Sequence, residues 1–186
     1  MGTNKTYGKQ DTAIFASGCF WCTEAIFDEV EGVKKAESGY TGGHIKNPSY
    51  REVCNETTGH AEAVRIIYDP EMISYQELLE IFFMTHDPTT LNRQGADAGT
   101  QYRSAIFYHS EVQKKTAESI IQELNSSGAW DDPIVTEVTA ADTFYLAEDY
   151  HQDYFTKNPS AAYCSFVISP KLEKFKKVFS EKLKKD

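Results

Sequence analysis

Four cysteines, at positions 19, 22, 54 and 164, are the residues of this chain best suited to covalent chemistry. Two of them fall in Gly18-Cys19-Phe20-Trp21-Cys22, where the apolar run Thr12 to Ala16 ends at Ser17-Gly18 and a helical stretch begins. A helix start offers unpaired N–H groups and the positive end of the helix dipole, a setting that favours thiolate. A thiol with a pKa of about 8.5 is only about 3% ionised at pH 7, and lowering it to about 7 makes it half ionised. Cys22 would stand one helical turn from Cys19 and could attack any oxidised form of it. Gly18 would let backbone and substrate approach closely. The plainer alternative is that both thiols are small buried hydrophobes, as most free cysteines are.

A zinc site would need four ligands. A second C-x-x-C or an H-x(3–5)-H pair is missing, and His44, His60, His86, His109 and His151 are scattered, so no metal is expected. Two other readings of the cysteines stay open: a general dithiol-disulfide oxidoreductase and a cysteine-histidine metal-binding module. Cys54 reads as a buried small residue, and His60 and His151 read as packing residues outside the site.

The elements that must position this chemistry follow from periodicity. Thr12 to Ala16 reads as a buried strand and Phe20 to Asp28 as a helix with Glu24 in its early turns. Val33 to Tyr40 reads as a weak strand, 42–59 as a long loop, and Ala61 to Tyr68 as a strand stopped by Asp69-Pro70. Ser74-Tyr75-Gln76-Glu77 is a capping box opening a helix with Tyr75, Leu78, Leu79 and Phe82 on one face. A second long loop, His86 to Gln101, precedes a strand from Tyr102 to Tyr108. A helix from Ser110 to Gly128 and a strand from Ile134 to Thr139 follow. The order from 12 to 108 is β-α-β-β-α-β, the split βαβ of ferredoxin-like sheets. The expected fold is therefore α+β: a two-layer ferredoxin-like core with additional helices and long active-site loops.

Composition sets the frame. The chain has 186 residues and a net charge of −9, with 40% apolar and 25% charged residues, which suits one globular domain. Residues 1–186 are read as a single catalytic domain, with 1–11 an N-terminal extension and 170–186 a basic amphipathic helix. Seven lysines from Lys171 onward face three acids, so this tail is +4 and the rest of the chain −13. Its apolar positions Leu172, Phe175, Val178, Phe179 and Leu183 share one face, and the tail reads as a docked helix with a solvated basic side. The acidic balance excludes non-specific nucleic-acid binding, and no apolar run approaches the length of a membrane span. The polar opening MGTNKTYGKQ shows no secretory signal, so a cytoplasmic setting with reduced thiols is expected.

Several blocks in a fixed order make the chain resemble the peptide methionine sulfoxide reductase A family. They are Gly18-Cys19-Phe20-Trp21, Gly39-Tyr40-Thr41-Gly42-Gly43, Tyr50-Arg51-Glu52-Val53-Cys54 and Thr58-Gly59-His60-Ala61-Glu62-Ala63-Val64. His86-Asp87-Pro88, Gln101-Tyr102-Arg103-Ser104-Ala105-Ile106, Ala147-Glu148-Asp149-Tyr150-His151-Gln152 and Lys157-Asn158-Pro159 complete the series. The resemblance implies reduction of the S epimer of methionine sulfoxide, free or in oxidised proteins, with no bound cofactor. Thioredoxin, or dithiothreitol in vitro, would be the reductant. By the family pattern Cys19 is the nucleophile, Phe20 and Trp21 wall a methyl pocket, and Glu62 is the acid. Tyr50 and Tyr102 donate to the sulfoxide oxygen, with Asp97 beside them. Cys164, in Tyr163-Cys164, resembles the family's recycling cysteine. Cys22 departs from the glycine common at its position, and it competes with Cys164 as the residue that resolves the oxidised Cys19.

The chemistry of the substrate asks for such groups. Attack of a thiolate on the sulfoxide sulfur makes the oxygen strongly basic, so a proton donor must stand beside it. A solvated Glu is protonated only about 0.2% of the time at pH 7, so a working acid must be buried, which raises its pKa. Glu62 shares a strand face with Val64 and Ile66 and is expected to point inward. Cys164 is expected to arrive on a segment whose ordering costs about 1–2 kcal/mol of backbone entropy per residue. Cys22 is therefore expected to react first and Cys164 second.

Overall fold

The computed structural model describes residues 9–185, so most of the expected N-terminal extension lies outside the described residues. Eight strands and six α-helices follow one another: β1 (Asp11–Ser17), α1 (Phe20–Asp28), β2 (Val33–Thr41), α2 (Tyr50–Cys54), β3 (Ala61–Tyr68) and α3 (Tyr75–Met84). Then come β4 (Arg93–Gln94), β5 (Asp97–Ala98), β6 (Ser104–Tyr108), α4 (Glu111–Ser127), β7 (Glu137–Ala140), β8 (Tyr145–Leu146), α5 (Tyr154–Lys157) and α6 (Ser169–Val178). The main sheet has the order β7-β6-β1-β3-β2-β8. Its four central strands, β6-β1-β3-β2, pair antiparallel with one another, so β3 splits the parallel pair β1 and β2. This is the expected α+β arrangement. β7 extends it by pairing in parallel with β6, and β8 pairs with β2.

Both faces of the central sheet are covered, which is why β1 reads as an unbroken apolar run instead of an alternation. Ala13, Phe15, Val64, Ile66 and Ile106 enter the large core beneath the helices, with Phe27, Leu78, Leu79 and Phe82. Ile14, Ala16, Ala63, Ala105 and Phe107 face the opposite way and pack against Ala141 and Phe144. Ser74 caps α3 by accepting from the Glu77 N–H, and Gly128 ends α4 in the left-handed region at φ 71°.

Several elements differ from the sequence expectation: the strand expected from Ile134 begins at Glu137, and Tyr102, expected to open a strand, lies in a 3-10 turn ahead of β6. The loop 42–59 contains α2, opened by a capping box between Ser49 and Glu52 that the short, non-periodic stretch concealed. The loop 86–101 contains the β4–β5 hairpin, whose two-residue strands are too brief to show alternation. The C-terminal helix stops at Val178, short of the expected span, and Val178 is exposed. Beyond it Leu183 bridges Val30, and Lys182 pairs with Glu77, tying the tail to the end of α1 and the start of α3.

Candidate active site

Cys19 is the N-cap of α1, immediately after β1. Gly18 before it adopts φ +96°, and a Cβ there would come within 2.7 Å of the Gln94 Cβ. The glycine therefore makes room for the β4–β5 hairpin, where the sequence suggested a close approach of substrate. The Gln94 side chain is fixed by accepting from the Asp87 N–H and donating to the Asp87 carbonyl. The hairpin thus closes over the cysteine.

Glu62 stands at the beginning of β3, opposite Tyr40 of β2, and only 1% of it is exposed. Its Oε1 accepts the Phe20 N–H at 3.1 Å, which sets the carboxyl against the start of α1, one residue from Cys19. Burial pushes the Glu62 carboxyl up to about 8, against the lowering effect of that hydrogen bond, and the nearby Asp97 raises it further. Glu62 therefore carries a proton at neutral pH.

The cysteines behave differently from expectation. Burial, the hydrogen bond with Cys22 and the Glu62 carboxyl all push the Cys19 thiol well above the ordinary range. The helix start contributes a lowering through the Trp21 N–H, but desolvation wins. Cys22 is the sulfur brought down, to about 7, first by the hydrogen bond from Cys19 and then, against burial, by Lys171 and the Tyr163 hydroxyl. Cys164 is fully buried and already packed in one cluster with Cys19, Cys22, Ala25 and Ile168. No ordering of a mobile segment is needed to bring it in. Cys54 is half-buried beside the Tyr50 hydroxyl and is not the fully buried residue anticipated.

The remaining candidates surround this centre. Tyr50 opens α2, and Tyr102 sits in the 3-10 turn Thr100–Tyr102; burial and the Glu62 charge raise both phenols, so both hydroxyls remain donors. Phe20 is buried between the rings of Tyr40 and His151, at centroid distances of 5.7 and 5.0 Å. Trp21 is half-buried, stacked on Tyr154 at 3.7 Å with its Nε1–H donated to His151 Nδ1 at 3.0 Å. Such a stack contributes about 0.5–1.5 kcal/mol beyond its burial and fixes the indole plane. Asp97 accepts from the Tyr163 hydroxyl at 2.7 Å, and the same hydroxyl lies 3.8 Å from the Cys22 sulfur.

Sequence reasoning left out three of these neighbours. His151 is fully buried against Phe20, Trp21 and Tyr50, with its Nε2 lacking a partner among the described residues. Glu148 takes hydrogen bonds from the Tyr40 hydroxyl and the Tyr50 N–H and so seats α2 against the sheet. Tyr163 adjoins Cys164, which was the only available signal for it. His60, by contrast, accepts the Gly43 N–H and contacts the Ile45 carbonyl, a loop staple as expected.

A cavity of about 120 Å³ opens onto Cys19 and Cys22 beneath Gly95 and Asp97. A larger groove of about 460 Å³ between α3 and α6 holds no cysteine. Among the described residues, the ligand-type side chains that converge within 4.8 Å are the carboxylates Glu24, Asp28 and Asp153, none of them a cysteine or histidine. Glu24 there already accepts from the Asp153 N–H and the Ser38 hydroxyl. No helix among the described residues is long and apolar enough to cross a membrane.

Comparison with known proteins agrees with this geometry. The sequence is 55% identical over 175 residues to "Peptide methionine sulfoxide reductase MsrA" of Deinococcus radiodurans, covering 94% of this chain and 85% of that one. The structure is similar to reduced Mxr1 of Saccharomyces cerevisiae, with a TM-score of 0.77 and 37% identity over 84% of this chain and 90% of that one. It also resembles Mxr1 from the complex with Trx2, with a TM-score of 0.54 and 26% identity over 83% of this chain and 89% of the other. The family model for peptide methionine sulfoxide reductase matches residues 11–183, and the chain belongs to that family.

Proposed function

We propose that this protein is a single catalytic domain that reduces methionine-S-sulfoxide, free or in oxidised proteins, with Cys19 as nucleophile and thioredoxin as final reductant. The observation that carries this reading is the protonated, buried Glu62 held against the residue that follows Cys19. A thiolate attacking the sulfoxide sulfur needs that proton on the departing oxygen. Net, a thiol and a sulfoxide become a sulfenic acid and a thioether, so the proton lost by Cys19 balances the one delivered by Glu62.

Tyr50 and Tyr102 serve as hydroxyl donors to the oxygen, with Asp97 beside them. Phe20 and Trp21 supply the apolar wall for the methyl group, and the Tyr154 stack and the His151 bond hold the Trp21 plane. The sulfenic acid on Cys19 is then attacked by Cys22, releasing water and leaving a Cys19–Cys22 disulfide. Cys164 attacks the Cys22 sulfur of that disulfide, freeing Cys19 and presenting Cys22–Cys164 for reduction. The hydrogen bond between Cys22 and Cys19, and the lowering of the Cys22 thiol, support Cys22 as the first to react, while Cys164, packed in the same cluster, is within reach for the second step.

Thioredoxin is assigned on the likeness to Mxr1, which forms a complex with Trx2. Dithiothreitol replaces it in vitro, no bound cofactor takes part, and a cytoplasmic setting suits a thiol-driven cycle. The test is turnover of the separate S and R epimers with a thioredoxin-regenerating system. Turnover confined to the S epimer is expected. Equal use of both epimers, or insulin disulfide reduction without sulfoxide reduction, would overturn the reading.

A further inference from the structure

The cavity over the two cysteines has one basic side chain, Lys171, on its wall. Lys171 is half-buried in the first turn of α6 and, among the described residues, forms no ion pair with a carboxylate. The titratable groups that share this cavity are Cys19, Cys22, Asp97 and Tyr163, with Cys164 and Glu62 adjoining them; on its other side Lys171 shares a groove with His86, Asp87 and Lys174. Asp97 is engaged by the Tyr163 hydroxyl, Glu62 is protonated, and burial raises Cys164. Cys19 holds its own proton against Cys22. Within the cavity the anionic groups open to Lys171 are the Asp97 carboxylate, already bonded to Tyr163, and the sulfur of Cys22.

We propose that Lys171 is a positioning residue that keeps Cys22 ionised, so that the resolving nucleophile is ready when Cys19 becomes a sulfenic acid. The proposal rests on the reading that Cys22 resolves Cys19. In that step the Cys22 thiolate attacks the Cys19 sulfur, the S–S bond forms, the S–O bond breaks, and hydroxide leaves to take a proton as water. Only a thiolate performs this attack, so its rate follows the ionised fraction of Cys22. The lowering of Cys22 to about 7, to which the Lys171 charge contributes, is consistent with that role. Neither Cys19 nor Glu62 depends on Lys171 for its hydrogen bonds, so the sulfoxide step is left to them.

The test is rapid quench of the reduced enzyme with one equivalent of methionine-S-sulfoxide between pH 5.5 and 9. Methionine release and Cys19–Cys22 disulfide formation are followed separately. Lys171→Met is expected to slow disulfide formation by about three- to ten-fold at pH 6, the effect of raising a neighbouring thiol by up to about one pH unit. At pH 9, where Cys22 ionises without help, variant and wild type should converge. Methionine release should be unchanged throughout, and Lys171→Arg should restore the wild-type profile. A Lys171→Met profile that superimposes on wild type, or that is slowed equally at every pH, overturns the proposal even if Cys19–Cys22 is the first disulfide. A first disulfide between Cys19 and Cys164, with full turnover by Cys22→Ser, removes the premise and the proposal with it.

Discussion

The inner wall of the site and its outer rim are built from different material. The inner wall, Cys19, Phe20 and Glu62, sits where β1 meets α1 and where β3 begins, in the middle of the sheet. The rim, Gln94, Asp97, Tyr163 and Lys171, comes from the short β4–β5 hairpin and from the chain around the start of α6. At the wall the decisive force is desolvation, which keeps protons on both Glu62 and Cys19. At the rim it is specific charge and hydrogen bonding, which act on Cys22. Of two thiols one helical turn apart, one is thereby pushed up and the other brought down. In the proposed cycle the wall supplies the acid and the nucleophile, and the rim acts on the thiol that follows.

The comparison is broken most severely by removing the nucleophile. Cys19→Ser should retain the fold and lose all turnover, because a serine oxygen is a far weaker nucleophile toward sulfur and can form neither the sulfenic acid nor the disulfide; more than about 1% residual activity would place the nucleophile elsewhere. Glu62→Gln should slow methionine release by roughly 10² to 10⁴ in single-turnover experiments, with substrate still bound. An unchanged rate would remove Glu62 from its role. On the rim, Tyr163→Phe deletes the donor to Asp97 and the contact with Cys22. It should slow disulfide formation about two- to ten-fold, the worth of about one hydrogen bond, while methionine release keeps its rate. Slowing of methionine release alone would move Tyr163 to the wall.

The protonation of Glu62 also has a signature in stability. The unfolded carboxyl titrates near about 4.3, whereas the folded one titrates at about 8. Below pH 4 both states hold the proton. From there to pH 8 the unfolded chain loses it and the folded chain does not, so stability falls across that window. Glu62→Gln should therefore be more stable than wild type at pH 8, by on the order of a few kcal/mol, and no more stable at pH 4. Thermal melts at the two pH values check this; equal differences at both would mean that Glu62 titrates normally.

How much of this could be read in advance also divides along the wall and the rim. The strands at Thr12–Ala16 and Ala61–Tyr68 and the helix from Phe20 to Asp28 follow from local periodicity; the inward direction of Glu62 is compatible with its strand face, but its choice as the acid comes with the family resemblance. The hairpin closing over Gly18, and the burial of Cys164, depend on contacts between residues distant in sequence, which periodicity does not carry. The same limit explains Cys19: its helix-start position is local and visible, but the desolvation that overrides it is tertiary. His151 shows the effect from the other side. A histidine that looks like packing becomes a neighbour of Trp21 only once residues 21 and 151 meet across the fold.

The central claim is that methionine sulfoxide oxidises Cys19 at a wall that supplies the proton, and that the Cys22 thiolate then resolves the sulfenic acid. Its most direct test is cysteine mapping by mass spectrometry after the fully reduced wild type meets one equivalent of methionine-S-sulfoxide. The account predicts stoichiometric methionine, with a Cys19–Cys22 disulfide as the first oxidised species and Cys22–Cys164 appearing after it. Methionine formed while Cys19 remains a free thiol, or Cys19–Cys164 as the first disulfide, would contradict it.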